Sequence, residues 1–318
     1  MTYHTVNWNI NEDEFDEYVW DKATTQFWLD TRVPISHDLG DWRALSTDEK
    51  QVINKVVGGL VLLDTLQSEE GVNVMREDAR TRKEVGVINN FLMMESIHAK
   101  SYGTILSSLN DQQTIDATYH WMNNNPRMQY KVERINNIYQ HGDNLQKKAA
   151  SVFLEGILYY SNFFTPLWYR GRNQLANLSE IIKLVIRDES VHGTYLGYKF
   201  QQAFHELGTA EQASFRKWMD ELLADLLDNE FKFAEAVYAP LGQAIVTDVK
   251  QFVRYNANKA MNNMGFEAIF KHAAIEDINP IVMNGISTET ANHDFFSQVG
   301  AGYLMGDAEV MTDDDYDF

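Results

Sequence analysis

Glu95, His98 and Tyr102 stand together in the run Met93-Met94-Glu95-Ser96-Ile97-His98-Ala99-Lys100-Ser101-Tyr102. Residues three, four and seven apart share one face of a helix, so these three side chains project the same way. A carboxylate and an imidazole one turn apart form a ligand pair for a metal ion, and the phenol lies one further turn along. A lone Glu-x-x-His is an ordinary pattern on helix surfaces. Here the pattern occurs twice, because Glu189-x-x-His192, inside Arg187-Asp188-Glu189-Ser190-Val191-His192, repeats it 94 residues later.

Two further acids interrupt apolar helical faces. Asp64 follows Val52, Val56, Leu60 and Leu63, and Glu155 sits among Val152, Phe153, Leu154, Ile157 and Leu158. Asp64 precedes its Glu-x-x-His by 31 residues and Glu155 precedes the other by 34. Both distances suit one long helix, a connection and a second long helix, so the same two-helix unit occurs twice. Four helices supplying two carboxylates and two Glu-x-x-His pairs match the ligand set of di-iron and di-manganese carboxylate bundles. The charge of four carboxylates suits two divalent cations, and an oxygen-rich site with some nitrogen favours iron or manganese over the softer thiolate-seeking metals. Without cations such a cluster must take up protons. Taken singly, each residue has a plainer reading. Asp64 can be a capped or solvated carboxylate, Glu155 a core acid paired with a basic side chain, and Tyr102 and Trp28 core aromatics.

The elements that must carry these residues are helical. The 318 residues are 44% apolar, enough for one large core or two smaller ones, with only 5 prolines and long runs of good helix formers. The pattern predicts helices over 12–28, from a Ser46-Thr47-Asp48-Glu49 capping box to about 70, and over 80–108. It continues over 111–125 and 127–140, broken at Pro126, then over 145–168, 179–204 and 210–238. Pro240 is expected to open a last helix reaching about Phe270. From Asp277 the periodicity fades, and Asp313-Asp314-Asp315-Tyr316-Asp317-Phe318 is too acidic to pack.

Net charge is −19 and the pI about 4.8, which argues against a nucleic-acid partner. The absence of cysteine excludes disulfides and thiolate ligands from this chain. No apolar run is long enough for a membrane span, and Met1-Thr2-Tyr3-His4 does not open a signal peptide. A soluble, cytoplasmic protein is expected.

With these motifs in view, the chain resembles the small, radical-generating subunit of class I ribonucleotide reductase, most of all the class Ib branch, which uses manganese or iron. The resemblance spans nearly the whole chain. It includes Gly59-Leu60-Val61-Leu62-Leu63-Asp64-Thr65-Leu66-Gln67, the Glu95–Tyr102 block, 151–155, 187–193, Tyr255-Asn256-Ala257-Asn258-Lys259-Ala260 and Asn292-His293-Asp294-Phe295-Phe296. It implies an all-α, ferritin-like bundle with a dinuclear metal site in a four-helix core, flanking helices and a flexible acidic C-terminal tail. The expected division is a radical-generating domain over 1–285 and a tail over 286–318. The resemblance makes Asp64, Glu95 and His98 ligands of one metal, and Glu155, Glu189 and His192 ligands of the other, with two Mn or two Fe ions per chain. It makes Tyr102 the radical tyrosine, with Trp28, Asp188 and Tyr303 in radical transfer. It implies a homodimer that passes its radical to a large catalytic subunit docked on the tail, where ribonucleotides become deoxyribonucleotides. A flavodoxin-like activator is implied for manganese, because Mn(II) reacts poorly with dioxygen. A chain without cysteine cannot be the thiyl-bearing reducing subunit.

Two residues depart from that branch. Tyr159 stands one turn after Glu155 where Phe is usual, and Gly156 replaces a small hydroxyl residue. Tyr159 is expected to place a second phenol near the metals, open to oxidation or hydroxylation as a side reaction, and the departure leaves the native metal open. The competing functions are a ferritin-like metal oxidase or iron store, and a non-catalytic helical bundle that binds no metal.

Overall fold

The structure, a computed structural model, describes residues 5–287. Among the described residues there are thirteen α-helices and no β-strand. They are α1 (Glu14–Thr25), α2 (Leu39–Ala44), α3 (Thr47–Leu66), α4 (Val72–Glu77), α5 (Arg82–Leu109), α6 (Gln112–Asn124) and α7 (Pro126–His141). After them come α8 (Asn144–Phe153), α9 (Tyr160–Arg170), α10 (Ala176–His205), α11 (Thr209–Tyr238), α12 (Gln243–Asn263) and α13 (Pro280–Ser287).

Local chemistry starts most of these helices where expected. Ser46 Oγ accepts from the Glu49 amide, and the Glu49 carboxylate accepts from the Ser46 amide at 2.8 Å, completing the capping box of α3. Thr81 caps α5 through the Glu84 amide, and Asp143 caps α8 through Gln146. Pro126 opens α7 rather than merely breaking the chain, because Asn125 caps the amides of Arg127 and Met128 and proline needs no partner in a first turn.

The long helices pair as the half-repeat requires. α3 packs along α5, α8 and α9 pack along α10, and α5 meets α10 across the middle. α11 and α12 flank this core against α7 and α9. The core is apolar and nearly dry, with Leu60, Leu63, Val87, Phe153, Phe163, Ile182 and Val185 all buried.

Several expected boundaries move. The first helix ends at Thr25, which leaves Trp28 buried in the connection that follows. The stretch 145–168 is not one helix: a π-helical turn, Leu154–Leu158, separates α8 from α9, and a second such turn, Gln67–Gly71, separates α3 from α4. Pro240 lies in a short 3-10 turn, and the helix after it starts at Gln243, behind Gly242 with φ 97°. That helix stops at Asn263 rather than Phe270. The Asn258 side chain accepts from the amides of Ile269 and Phe270 and folds the following loop back on α12. The helical pattern also resumes after Asp277 as α13, so the expected domain limit at 285 falls inside a helix.

α13 lies against α9 at very close range. A Cβ on Gly285 would collide with the Leu167 carbonyl, and one on Gly171 with the Ile281 carbonyl. Gly285→Ala should therefore lower stability by about 1–3 kcal/mol through overpacking. Thermal denaturation checks this, and an unchanged melting temperature would mean that α13 is not held in this packing.

Candidate metal centre

Asp64 comes from α3, Glu95 and His98 from α5, Glu155 from the π turn after α8, and Glu189 and His192 from α10. None of the six is more than 2% exposed. They form two groups, Asp64–Glu95–His98–Glu189 and Glu95–Glu155–Glu189–His192, in each of which the donor atoms lie within 4.8 Å of one another. Glu95 and Glu189 belong to both. The expectation divides the six residues three and three, whereas the two groups have Glu95 and Glu189 in common, with one further acid and one histidine in each.

The contacts cross between the two helix pairs. His98 Nδ1 lies 3.1 Å from Glu189 Oε1 and 3.6 Å from Glu95 Oε2 on its own helix. His192 Nδ1 lies 2.9 Å from Glu95 Oε1 and 3.6 Å from Glu189 Oε2. These approaches are not aligned hydrogen bonds. Both Nδ1 atoms, both oxygens of Asp64, Glu95 and Glu189, and Glu155 Oε2 are buried without a hydrogen-bond partner. Buried polar atoms are ordinarily satisfied. Nine orphaned donor atoms in one place, all oxygen or imidazole nitrogen, fit two divalent cations of the iron or manganese type.

The electrostatics agree. Burial first, then the neighbouring Glu95 and Glu189 carboxylates, raise Asp64 well above the usual carboxylate range. Burial and then Glu189 and Glu95 do the same to Glu155. Burial also opposes the charge on Glu95, but the His192 and His98 imidazoles bring its pKa down to about 2. Both imidazoles rise well above their usual value, although burial works against them, because His98 faces Asp188, Glu189 and Glu95, and His192 faces Glu189 and Glu95. The metal-free cluster therefore stores protons on the groups that must shed them to bind cations.

Tyr102 lies one turn beyond His98, fully buried, and its hydroxyl has no hydrogen-bond partner. Burial first, and then the carboxylates of Asp64, Glu189 and Glu95, hold its phenol well above its usual pKa. Tyr159 is the second phenol of this kind, also buried and unpartnered, and raised by burial, Asp64, Glu95, Glu189 and Glu155. Tyr139, Tyr195 and Tyr238, equally buried, all donate to an acceptor.

On the side of His98 a polar path leads outward. Asp188 Oδ2 lies 3.1 Å from His98 Nε2 and accepts from Trp28 Nε1 at 2.6 Å, while the Trp28 ring stacks on His98 with centroids 5.8 Å apart. With Nε2 engaged by Asp188, Nδ1 is the histidine atom left for a cation. Arg187 secures the arrangement: its Nη2 donates to the Gln26 carbonyl at 2.6 Å and to Asp188 Oδ1 at 3.2 Å. Nothing in the residue spacing singles out Arg187 for this work. On the other side, a groove between the Leu154–Leu158 π turn, α10 and α12 reaches Glu189, with Gly156, Tyr160, Ser190, Asn256 and Lys259 on its walls. Tyr303 and the 292–296 motif lie outside the described residues.

Known proteins share this arrangement of helices. The family description "Ribonucleotide reductase, small chain" matches residues 5–280. The chain belongs to the ribonucleotide reductase small-chain family. It is 41% identical over 314 residues to Mycobacterium tuberculosis (strain ATCC 25618 / H37Rv) ribonucleoside-diphosphate reductase subunit beta nrdF2, which covers 98% of this chain and 96% of that one. It is 40% identical to Escherichia coli (strain K12) ribonucleoside-diphosphate reductase 2 subunit beta, covering 98% of each. The X-ray structure of Streptococcus sanguinis dimanganese(II)-NrdF superposes with a TM-score of 0.88 at 56% identity, over 90% of this chain and all of that one. The chain is thus a small subunit of a ribonucleoside-diphosphate reductase, of the NrdF type, with a ferritin-like fold. A ferritin-like oxidase or iron store is not favoured. Among the described residues no helix is long and apolar enough to cross a membrane.

Because Glu189 serves both groups and Glu155 only one, their removal should differ. Glu189→Ala is expected to leave less than one ion per chain by elemental analysis, while Glu155→Ala keeps the ion of the Asp64 group. Equal losses in the two variants would contradict the shared-glutamate geometry. Loading should also release protons, so apparent metal affinity rises with pH as the imidazoles and acids give up protons that their raised pKa values retain. Titration with divalent metal in weak buffer checks this, and a pH that does not fall would count against it.

Proposed function

We propose that Asp64, Glu95, His98, Glu155, Glu189 and His192 hold two manganese or two iron ions, and that Tyr102 carries the radical handed to the large subunit. The observation that carries this reading is the convergence of unpartnered donor atoms beside an unpartnered, water-excluded phenol. The dimanganese(II) state of the Streptococcus sanguinis relative supports the choice of metals. The bound pair, once oxidised, supplies the one-electron oxidising power that a phenol requires.

The chain's own residues do the rest. Tyr102 would give up an electron to the oxidised pair and its hydroxyl proton toward the Asp64 carboxylate beside it, and its burial keeps the resulting phenoxyl from water and reductants. The hydroxyl makes no aligned hydrogen bond that must break first. Trp28 relays the electron, and Asp188 links it to His98. The Asp188 carboxylate already accepts the indole N–H, which gives the indole proton a place to go when Trp28 is oxidised. Asp30 holds this segment on α5 by accepting from Thr104 Oγ1 at 2.7 Å and from Lys100 Nζ at 2.6 Å.

The tail over 286–318, with Tyr303, is assigned to docking on the large subunit and to the last transfer step, on its acidic sequence and its likeness to the family's C-terminal segment. A homodimer, a flavodoxin-like activator and a cytoplasmic setting complete the reading. The groove that reaches Glu189 suits the entry of a small reduced-oxygen oxidant.

Tyr102→Phe should retain two ions per chain and lose the phenoxyl EPR signal. A phenoxyl signal that persists in this variant would move the radical to another residue, with Tyr159 first in line. Truncation before Tyr303 should spare the radical and abolish turnover with the large subunit, so continued turnover would remove the tail from the mechanism.

A further inference from the structure

We propose that Gln67 is a positioning residue for the second metal site, Glu95–Glu155–Glu189–His192: its side-chain amide sets the orientation of Glu155 and thereby that site's hold on its cation. The inference rests on the metal-binding reading above and deepens it.

Among the four clustered carboxylates, Glu155 alone is held from outside the cluster. Asp64, Glu95 and Glu189 have both oxygens unpartnered, whereas Glu155 has only Oε2 free, because its Oε1 accepts from Gln67 Nε2 and, at 3.4 Å, from Ser151 Oγ. The same nitrogen donates to Ser151 Oγ at 2.7 Å, and at the far end of the amide Gln67 Oε1 accepts from Tyr139 Oη at 2.8 Å. Gln67, Ser151 and Tyr139 are all fully buried. A Glu155 that holds a cation is ionised and can only accept, so the N–H end of the amide must face it.

The backbone is shaped around this amide. Gln67 stands one turn after Asp64 and opens the π turn Gln67–Gly71. A Cβ on Gly71 would collide with Gln67 Oε1 and would come within 2.8 Å of the Tyr139 ring, so only glycine leaves room for the pair. Glu155 lies on the other π turn, Leu154–Leu158, whose far side forms the groove at Gly156 and Tyr160. Isolated π turns recur at functional sites, and here each carries one half of the same hydrogen bond. With Oε1 tied to the amide, Glu155 offers Oε2 to the site, 3.8 Å from His192 Nδ1. The Gln67 side-chain amide makes no hydrogen bond to any side chain of the Asp64–His98 group, so its direct hold is on the second site.

Groups that orient a metal ligand typically change affinity by about 10–100-fold when removed. The test is manganese(II) titration of the full-length chain, followed by EPR, in the wild type, Gln67→Leu and Tyr139→Phe. Gln67→Leu should bind the first ion as the wild type does and the second about 10–100-fold more weakly. It should then show isolated Mn(II) at loadings where the wild type shows a coupled pair. Tyr139→Phe, which removes only the anchor of the amide, should shift the second affinity in the same direction by less. Far-UV circular dichroism verifies the fold. Wild-type affinities and a superimposable coupled spectrum in Gln67→Leu would overturn the proposal, and so would equal weakening of both ions, which marks a merely structural role. A wild type that takes up no manganese sinks the metal reading and this inference together, an outcome distinct from a variant that matches a loaded wild type.

Discussion

Four carboxylates and two imidazoles share the dry centre of a helical bundle, and the rest of the molecule is arranged around that charge. Removing an ionised carboxylate from water costs several kcal/mol even after the surroundings relax. Four together, with no basic side chain among them, cannot all stay ionised without a counter-charge. In the absence of metal the cluster answers with protons, held on the histidines and on Asp64 and Glu155. Two divalent cations answer better, because they satisfy the orphaned atoms as well as the charge. The same burial that makes the cluster avid for cations keeps Tyr102 from water, so in the proposed reading affinity and radical lifetime share one cause.

The two ends of the cluster lead to different places. From His98 a carboxylate and an indole run outward through Asp188 and Trp28, steadied by Arg187. From Glu155 and Glu189 the path leads to the groove beside α12, with the Gln67 amide at the back of Glu155. In the proposed reading charge leaves on one side and small molecules reach the other. Phe91, tilted at 37° against His192 with centroids 4.0 Å apart, sets an apolar ring beside the second imidazole.

Much of this is legible in the amino-acid sequence, for identifiable reasons. Glu95, His98, Glu189 and His192 stand out because helical periodicity forces residues three apart onto one face and because the pattern recurs. Asp64 and Glu155 stand out because each interrupts an apolar helical face at a matched distance before a Glu-x-x-His pair. The sharing of Glu95 and Glu189 is not legible, since it depends on how the two helix pairs cross. Nor are the π turns, which insert one residue into a helix without any compositional mark. α10 begins behind Leu175 in a left-handed conformation (φ 48°), and its first amides are capped by Asp38, which accepts from Leu178 at 2.7 Å across 140 positions of sequence. No local pattern can announce such a cap. α13 escapes notice because it is short and because its docking depends on its own Gly285 and the distant Gly171 rather than on its periodicity.

The central claim is that two cations sit side by side between shared glutamates. Anomalous X-ray diffraction from crystals of the manganese-loaded chain tests it most directly. Two peaks about 3.5–4 Å apart, both bordered by Glu95 and Glu189, are the predicted result. A single peak, or peaks remote from these two side chains, would contradict the account.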